Sequence, residues 1–276
     1  MLVSMKQVMS WAEERKCAVG AFNAIDFASL RAIIDAAEEL GSPVILMHAQ
    51  CHETLAPIDY TGPAMLAAAR KAKVPVCVHL DHGEDEDYCR RALELGFMSV
   101  MFDGSVLPYE ENVRRTKHVA AMAHACGAEI EGELGAMGAR NGGEGAIYTD
   151  PVQAEAYVAE TGVDLLACSF GTAHGLYLKT PKLSFDVLKG IRSRIGTPLV
   201  MHGGSGVSEA DYVEAIACGI RKINYFTYMS KAGGEALKAY VESRGEKPAL
   251  TFEANEQIYE PMKENVKQAI RVFGRY

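Results

Sequence analysis

A chain of 276 residues with ordinary globular composition is long enough for one large α/β domain and too short for two full ones. A formal net charge of −8 without a basic block argues against non-specific nucleic-acid or anionic-membrane binding, so any positive charge used for phosphate must be local. Seven dispersed cysteines, none in C-x-x-C, read as reduced core residues of a cytoplasmic protein, not as a disulfide framework or a cysteine–zinc site. The start, "MLVSMKQVMSWAEERK", lacks the apolar stretch of a signal peptide, and no apolar run is long enough to span a bilayer.

Residues 1–16 predict a leading helix. Short apolar runs then alternate with helix-period segments. The runs are "AVGAFNA" (18–24), "PVILMHA" (43–49), "PVCVHLD" (75–81), "SVMFDG" (99–104), "AEIEGEL" (128–134), "DLLACSFG" (164–171), "PLVMHGG" (198–204) and "RKINYFT" (221–227). Glycines 41, 96, 127, 162, 196 and 219 stand where the intervening helices should end. Residues 253–274 predict a trailing helix. Alternation of this kind implies a parallel sheet with crossover helices, and eight units favour closure into a (β/α)8 TIM barrel over an open doubly wound sheet. No composition break divides residues 1–276, so a single domain is expected, with an extra N-terminal helix and a C-terminal helical extension.

In such a barrel the chemistry sits where strands end and loops begin. The polar residues there are Asn23, His48, His79, Asp81, His82, Asp103, Glu131, Glu133, His174, His202 and Asn224. His82, His174 and His202, each beside a glycine, form a plausible zinc set that leaves a position for substrate. Any one of them alone would read as a hydrogen-bonded rim residue. His48 and His52 read as rim-lining at most, and His118 and His124 as helix-surface residues. His79 suits a supporting role as well as ligation. Asp81 is a candidate general base or acid, with orientation of His82 as the plain alternative. Asp103 and Glu133 are candidates for a second metal position or for ordering a ligand histidine.

"HGGSGVSEA" (202–210) puts a glycine-rich turn before a helix, where the N–H groups of Gly203, Gly204 and Ser205 can converge on an anion. Gly175, Lys179, Asn224 and Thr227 complete that candidate phosphate pocket. The glycine-rich connection 133–151 reads as a lid that could deliver Glu144, Arg140 or Tyr148.

The stretches "VGAFNAID", "SPVIL", "HLDHGED", "MFDGS", "EGELGAMG", "YTDP", "HGLYLKTPKL", "MHGGSGV" and "KIN" together resemble the class II, zinc-dependent ketose-bisphosphate aldolases, which include fructose- and tagatose-bisphosphate aldolases. The resemblance runs from about residue 4 to residue 231, in order. It implies that His82, His174 and His202 ligate Zn2+, that Asp81 exchanges the substrate hydroxyl proton, and that Asp103 and Glu133 lie near the metal. It implies that Asn23, Gly175, Lys179, Gly203, Ser205, Asn224 and Thr227 hold a ketose phosphate. Glu144 matches the lid glutamate that moves a second proton. A monovalent cation (Na+ or K+) near the phosphate and a homodimer or homotetramer are further implications. The expected reaction is reversible cleavage of a ketose phosphate into dihydroxyacetone phosphate and an aldehyde, with zinc stabilising the enediolate.

One stretch departs from the family. After "KIN" the chain reads Tyr225, Phe226, Thr227, Tyr228, where family members carry small or acidic residues. This leaves the aldehyde half open, including one without a distal phosphate. Three other readings compete: a zinc hydrolase on the same barrel, which "GAFNAID" disfavours for lack of a histidine; a Schiff-base aldolase, for which Lys222 is the awkward candidate; and a catalytically silent sugar-phosphate-binding barrel.

Overall fold

The computed structural model describes residues 1–138 and 145–275. The eight apolar runs become parallel strands: β1 (Val19–Asn23), β2 (Val44–Ala49), β3 (Val76–Gly83), β4 (Ser99–Phe102), β5 (Glu129–Leu134), β6 (Leu165–Cys168), β7 (Leu199–Met201) and β8 (Ile220–Tyr225). They pair in chain order and close, β8 against β1, into a (β/α)8 barrel. Nearly every strand residue is buried, because one face meets the barrel interior and the other meets a helix.

The surrounding helices are α2 (Phe27–Leu40), α3 (Ile58–Lys71), α4 (Glu86–Leu95), α5 (Tyr109–Ala125), α6 (Pro151–Thr161), α7 (Phe185–Arg192), α8 (Glu209–Ala217) and α9 (Thr227–Arg244). The two expected extra helices are also present. The leading helix α1 (Met5–Arg15) starts at a capping box between Ser4 and Gln7. The trailing helix α10 (Thr251–Gly274) packs on α9 and α2.

Side-chain alternation sorts the strands into two cores. Phe22, Leu46, Val78, Val100, Ile130, Leu166 and Ile223 face outward to the helices. Val19, Ala21, Ile45, Met47, Cys77, Met101, Leu165, Ala167 and Val200 face inward and pack against Met5, Val8, Met9 and Ala12 of α1. The leading helix therefore plugs the N-terminal end of the barrel. The opposite end is lined, in the same inward phase, by polar residues.

Several expected details change. Gly41, Gly96 and Gly162 do close α2, α4 and α6 in left-handed conformation. Gly196 does not cap α7, which stops at Arg192 with Ser193 as its cap. Helix α3 starts at Ile58, whose N–H donates to the Glu53 carboxylate at 2.8 Å. Strand β6 ends early because Ser169 turns to the 136–149 connection: its N–H donates to Thr149 Oγ1 and its hydroxyl to the Ala136 carbonyl. All seven cysteines are free and five are buried, so no disulfide supports the fold. Among the described residues, no helix is long and apolar enough to cross a membrane.

Ile45 lies wholly buried in the inner core. Ile45→Ala is expected to cost about 2–5 kcal/mol of unfolding free energy, read as a lower denaturant midpoint; an unchanged midpoint would show that the inner layer is not close-packed.

Candidate active site

The C-terminal mouth of the barrel holds a cavity of about 360 Å³. Its lining includes Asn23 from β1, Asp81 and His82 from β3, His174 and Gly175 after β6, Gly203 and Ser205 after β7, and Asn224 and Thr227 from β8 and the start of α9. Residues spread over two hundred positions of sequence thus share one pocket.

Consecutive strand residues point to opposite faces, so Asp81 and His82 should not both reach the mouth. They do because His82 is left-handed, with φ of 45°, and the β3–β4 register slips between Leu80 and Gly83. That bulge swings the imidazole inward. Gly83 is required beside it, since a Cβ there would lie 2.5 Å from the Met101 carbonyl oxygen and 2.6 Å from Cys89 Sγ.

The three histidines converge. His82 Nε2 lies 3.2 Å from His174 Nε2 and 2.9 Å from His202 Nδ1. Tetrahedral ligation with bonds of about 2.0 Å would place such nitrogens about 3.3 Å apart. The same nitrogen set lies within 4.8 Å throughout, and His82, Asp103 and Glu133 form a second set of that kind. Glu133 Oε2 is buried without a hydrogen-bond partner. Both observations fit a divalent cation with nitrogen and oxygen donors.

The electrostatics suit a cation as well. Burial alone would lower the pKa of His82, but Asp81, the hydrogen bond to Asp103 and the charge of Glu133 outweigh it and push it up to about 10. Asp103 Oδ2 sits 2.7 Å from His82 Nδ1 and is held well below the usual carboxylate range, against its own burial, by that imidazole and by Ser105. Burial, reinforced by Asp103, pushes Glu133 up to about 8. Burial first, then the charge of His82, drives His202 well below an ordinary histidine.

Asp81 faces the pocket almost fully buried and does not bond His82; Asp103 does. Its two oxygens instead accept the side-chain amides of Asn224 at 2.9 Å and Asn23 at 3.3 Å. Burial would raise its pKa, yet the charges of His82, His202 and Lys222 and the Asn23 hydrogen bond hold it at about 2. It is a fixed, ionised acceptor.

The glycine-rich turn behaves partly as expected. Gly203 is left-handed, and a Cβ there would lie 2.4 Å from the Ala173 carbonyl oxygen, so only glycine lets the β7 turn pack against the His174 loop. Tyr177 clamps the same contact: its hydroxyl accepts the Ala173 N–H and donates to the Gly203 carbonyl. The helix after this turn is not the one facing the pocket. Helix α8 begins only at Glu209, whereas Thr227, the first residue of α9, lines the cavity. The Ser205 hydroxyl ties the turn to α9 by accepting the Phe226 N–H at 3.1 Å.

Lys179 is exposed and does not line the cavity. Tyr148 is also turned away, its hydroxyl donating to the Lys182 carbonyl. Arg140 and Glu144 lie outside the described residues. His48 is a satisfied buried histidine between Tyr88 and Thr61, on the outward face of β2. His79 bonds Ser99 inside the barrel. His52 does line the pocket and packs on Phe226 with ring centroids 5.3 Å apart. Tyr225 packs outward between Phe22 and Phe273. The roles of Ser105 and Tyr177 were missed in the sequence, whereas the rim position read for His52 agrees with its place in the cavity wall.

A parallel barrel whose strand ends gather three imidazoles, a buried aspartate and a glycine-rich turn is a TIM-barrel protein with a candidate metal site at its C-terminal mouth. The sequence profile described as "Fructose-bisphosphate aldolase class-II" matches residues 3–276, and the chain belongs to that family. It is 36% identical over 278 residues to the Escherichia coli K12 protein YdjI, covering 99% of this chain and 98% of YdjI. The crystal structure titled as the YdjI aldolase matches with a TM-score of 0.88, at 34% identity over 99% of this chain and 98% of that one. A Staphylococcus aureus (strain Mu50) protein named fructose-bisphosphate aldolase is 35% identical over 289 residues, 99% of this chain and 97% of its own.

Asp81, Asp103 and Glu133 push the pKa of His82 up to about 10, so ligation of a cation there is expected to displace a proton at neutrality. Titration with zinc at pH 7 is expected to release about one proton per ion. Calorimetry in buffers of different ionisation enthalpy measures this; identical heats in all buffers would show that ion binding displaces no net proton from the site.

Proposed function

We propose that this chain is a zinc-dependent aldolase that reversibly cleaves a ketose phosphate into dihydroxyacetone phosphate and an aldehyde. The observation that carries the reading is the meeting of His82 Nε2, His174 Nε2 and His202 Nδ1 beside the buried carboxylate of Asp81. Family membership and the names of the relatives support the same reaction class.

His82, His174 and His202 are the residues that would hold the ion. When bound, zinc supplies Lewis acidity, drawing electron density from a substrate carbonyl. The protein's own groups do the rest. Asp81, fixed by two amides, accepts the proton of the hydroxyl on the carbon that leaves as aldehyde. As the O–H pair becomes the new carbonyl, the carbon–carbon bond breaks and its electron pair stays on the carbon next to the ketone. That carbon is then protonated, and Glu144 of the 133–151 connection is the group we assign to this second transfer. The backbone of Gly203, Gly204 and Ser205 and the start of α9 hold the phosphate, remote from the reacting bond, and so orient it.

The aldehyde half is proposed to lack a distal phosphate. No lysine or arginine occurs among the described residues lining the cavity, and Phe226 faces His52 across one wall. Lys222 is a poor Schiff-base candidate, being wholly buried and ion-paired to Glu131. Assembly into a homo-oligomer is also proposed, supported by exposed Phe27, Leu55, Tyr60 and Phe252 around adjoining surface hollows.

The substrate follows from offering dihydroxyacetone phosphate with a panel of aldehydes, charged and uncharged, and identifying the condensation product. With that ketose, chelation is expected to abolish cleavage and added zinc to restore it; full turnover without metal would refute the mechanism. Asp81→Ala is expected to retain zinc and lose about 10²–10⁴-fold in kcat, measured by steady-state kinetics alongside metal content. Near-normal turnover in that variant would move the base elsewhere.

A further inference from the structure

We propose that Glu131 and Lys222 form a buried positioning pair that sets the metal-binding form of His202. This rests on the reading of His202 as a ligand. Glu131 Oε1 lies 2.7 Å from His202 Nε2. A carboxylate only accepts, so Nε2 carries the proton and Nδ1, which faces His82, presents its lone pair. The second oxygen of Glu131 accepts from Lys222 Nζ at 2.8 Å. Both side chains are wholly buried, directly beneath the site. His79 Nε2 stands 3.6 Å from that same oxygen without a hydrogen bond, its other nitrogen being engaged by Ser99.

Stability does not account for this pair. A fully desolvated ion pair is commonly replaced by apolar residues of similar volume with no loss. Ala21, Met47, Met101, Ala167 and Val200, inward on other strands, are apolar, so most of the barrel interior carries no charge. What the pair does locally is specific. A carboxylate on the far ring nitrogen fixes the imidazole's tautomer and angle and makes the ligating nitrogen more basic. Lys222 holds the rotamer of that carboxylate by occupying its second oxygen. Glu131 and Lys222 touch neither cavity nor substrate, so both are positioning residues.

The test compares the wild-type chain with Glu131→Leu/Lys222→Met, which replaces the pair by apolar side chains. A second variant, Glu131→Gln/Lys222→Met, keeps an uncharged acceptor for His202 and a donor for His79. Zinc affinity is measured by competition with a chromophoric chelator, ligand geometry by the visible spectrum of the Co2+-loaded protein, and folding by urea denaturation of the metal-free chains. The expected result is a denaturation midpoint at or above wild type in both variants. The zinc dissociation constant should rise about 10- to 100-fold in the Leu/Met variant and less in the Gln/Met variant, with an altered Co2+ spectrum. Tight wild-type binding with unchanged affinity and spectrum in folded variants would overturn this proposal alone. Failure of both variants to fold would make the pair structural and overturn it too. A wild-type chain that binds no zinc would sink the reading of the metal site, and this inference with it.

Discussion

The whole site depends on one backbone conformation, the left-handed turn at His82. A regular strand would send Asp81 into the barrel mouth and His82 outward among the helices, as it does His48 on β2. With φ of 45° and a bulge against β4, both reach the same pocket. Non-glycine residues adopt this conformation only at a cost, and such strain persists where surrounding contacts over-determine it. Here those contacts are the short bond to Asp103, the two neighbouring imidazoles and the tight seat of Gly83.

Charge balance inside a dry barrel is the second constraint. Asp81, Asp103 and Glu133 crowd the mouth with His82 and His202, and Glu131 and Lys222 lie directly beneath them. Buried carboxylates at such spacing cannot all be ionised without compensating positive charge. Lys222 answers Glu131 directly. The neighbouring carboxylates push His82 up to about 10, and burial with the charge of Asp103 pushes Glu133 up to about 8.

Phosphate recognition is arranged differently. The cavity's described lining offers no lysine or arginine, so in the proposed function backbone N–H groups and the start of α9 would carry that task. Glycines at the β7 turn allow two loops and a strand end to approach within backbone contact, with Tyr177 and Ser205 locking them together. The aromatic residues after β8 divide their work. Tyr225 belongs to the packing between barrel and α10, while Phe226 shapes the pocket wall with His52. One sequence departure thus has one structural and one substrate-facing consequence.

The amino-acid sequence alone determined the barrel, its two added helices and most of the rim. Periodicity is local: Asn23, Asp103 and His202 keep the phase of the inward apolar residues Ala21, Met101 and Val200 two positions before them, while Glu133 and Asn224 follow inward Glu131 and Lys222. His82 breaks that phase, and only the folded chain shows how, because a bulge is a property of two paired strands. The same holds for Asp103 rather than Asp81 bonding His82, for α9 rather than α8 facing the pocket, and for the Glu131–Lys222 pair beneath His202. Each joins residues far apart in the chain, and their distances were decided by closing the barrel, not by any spacing along it.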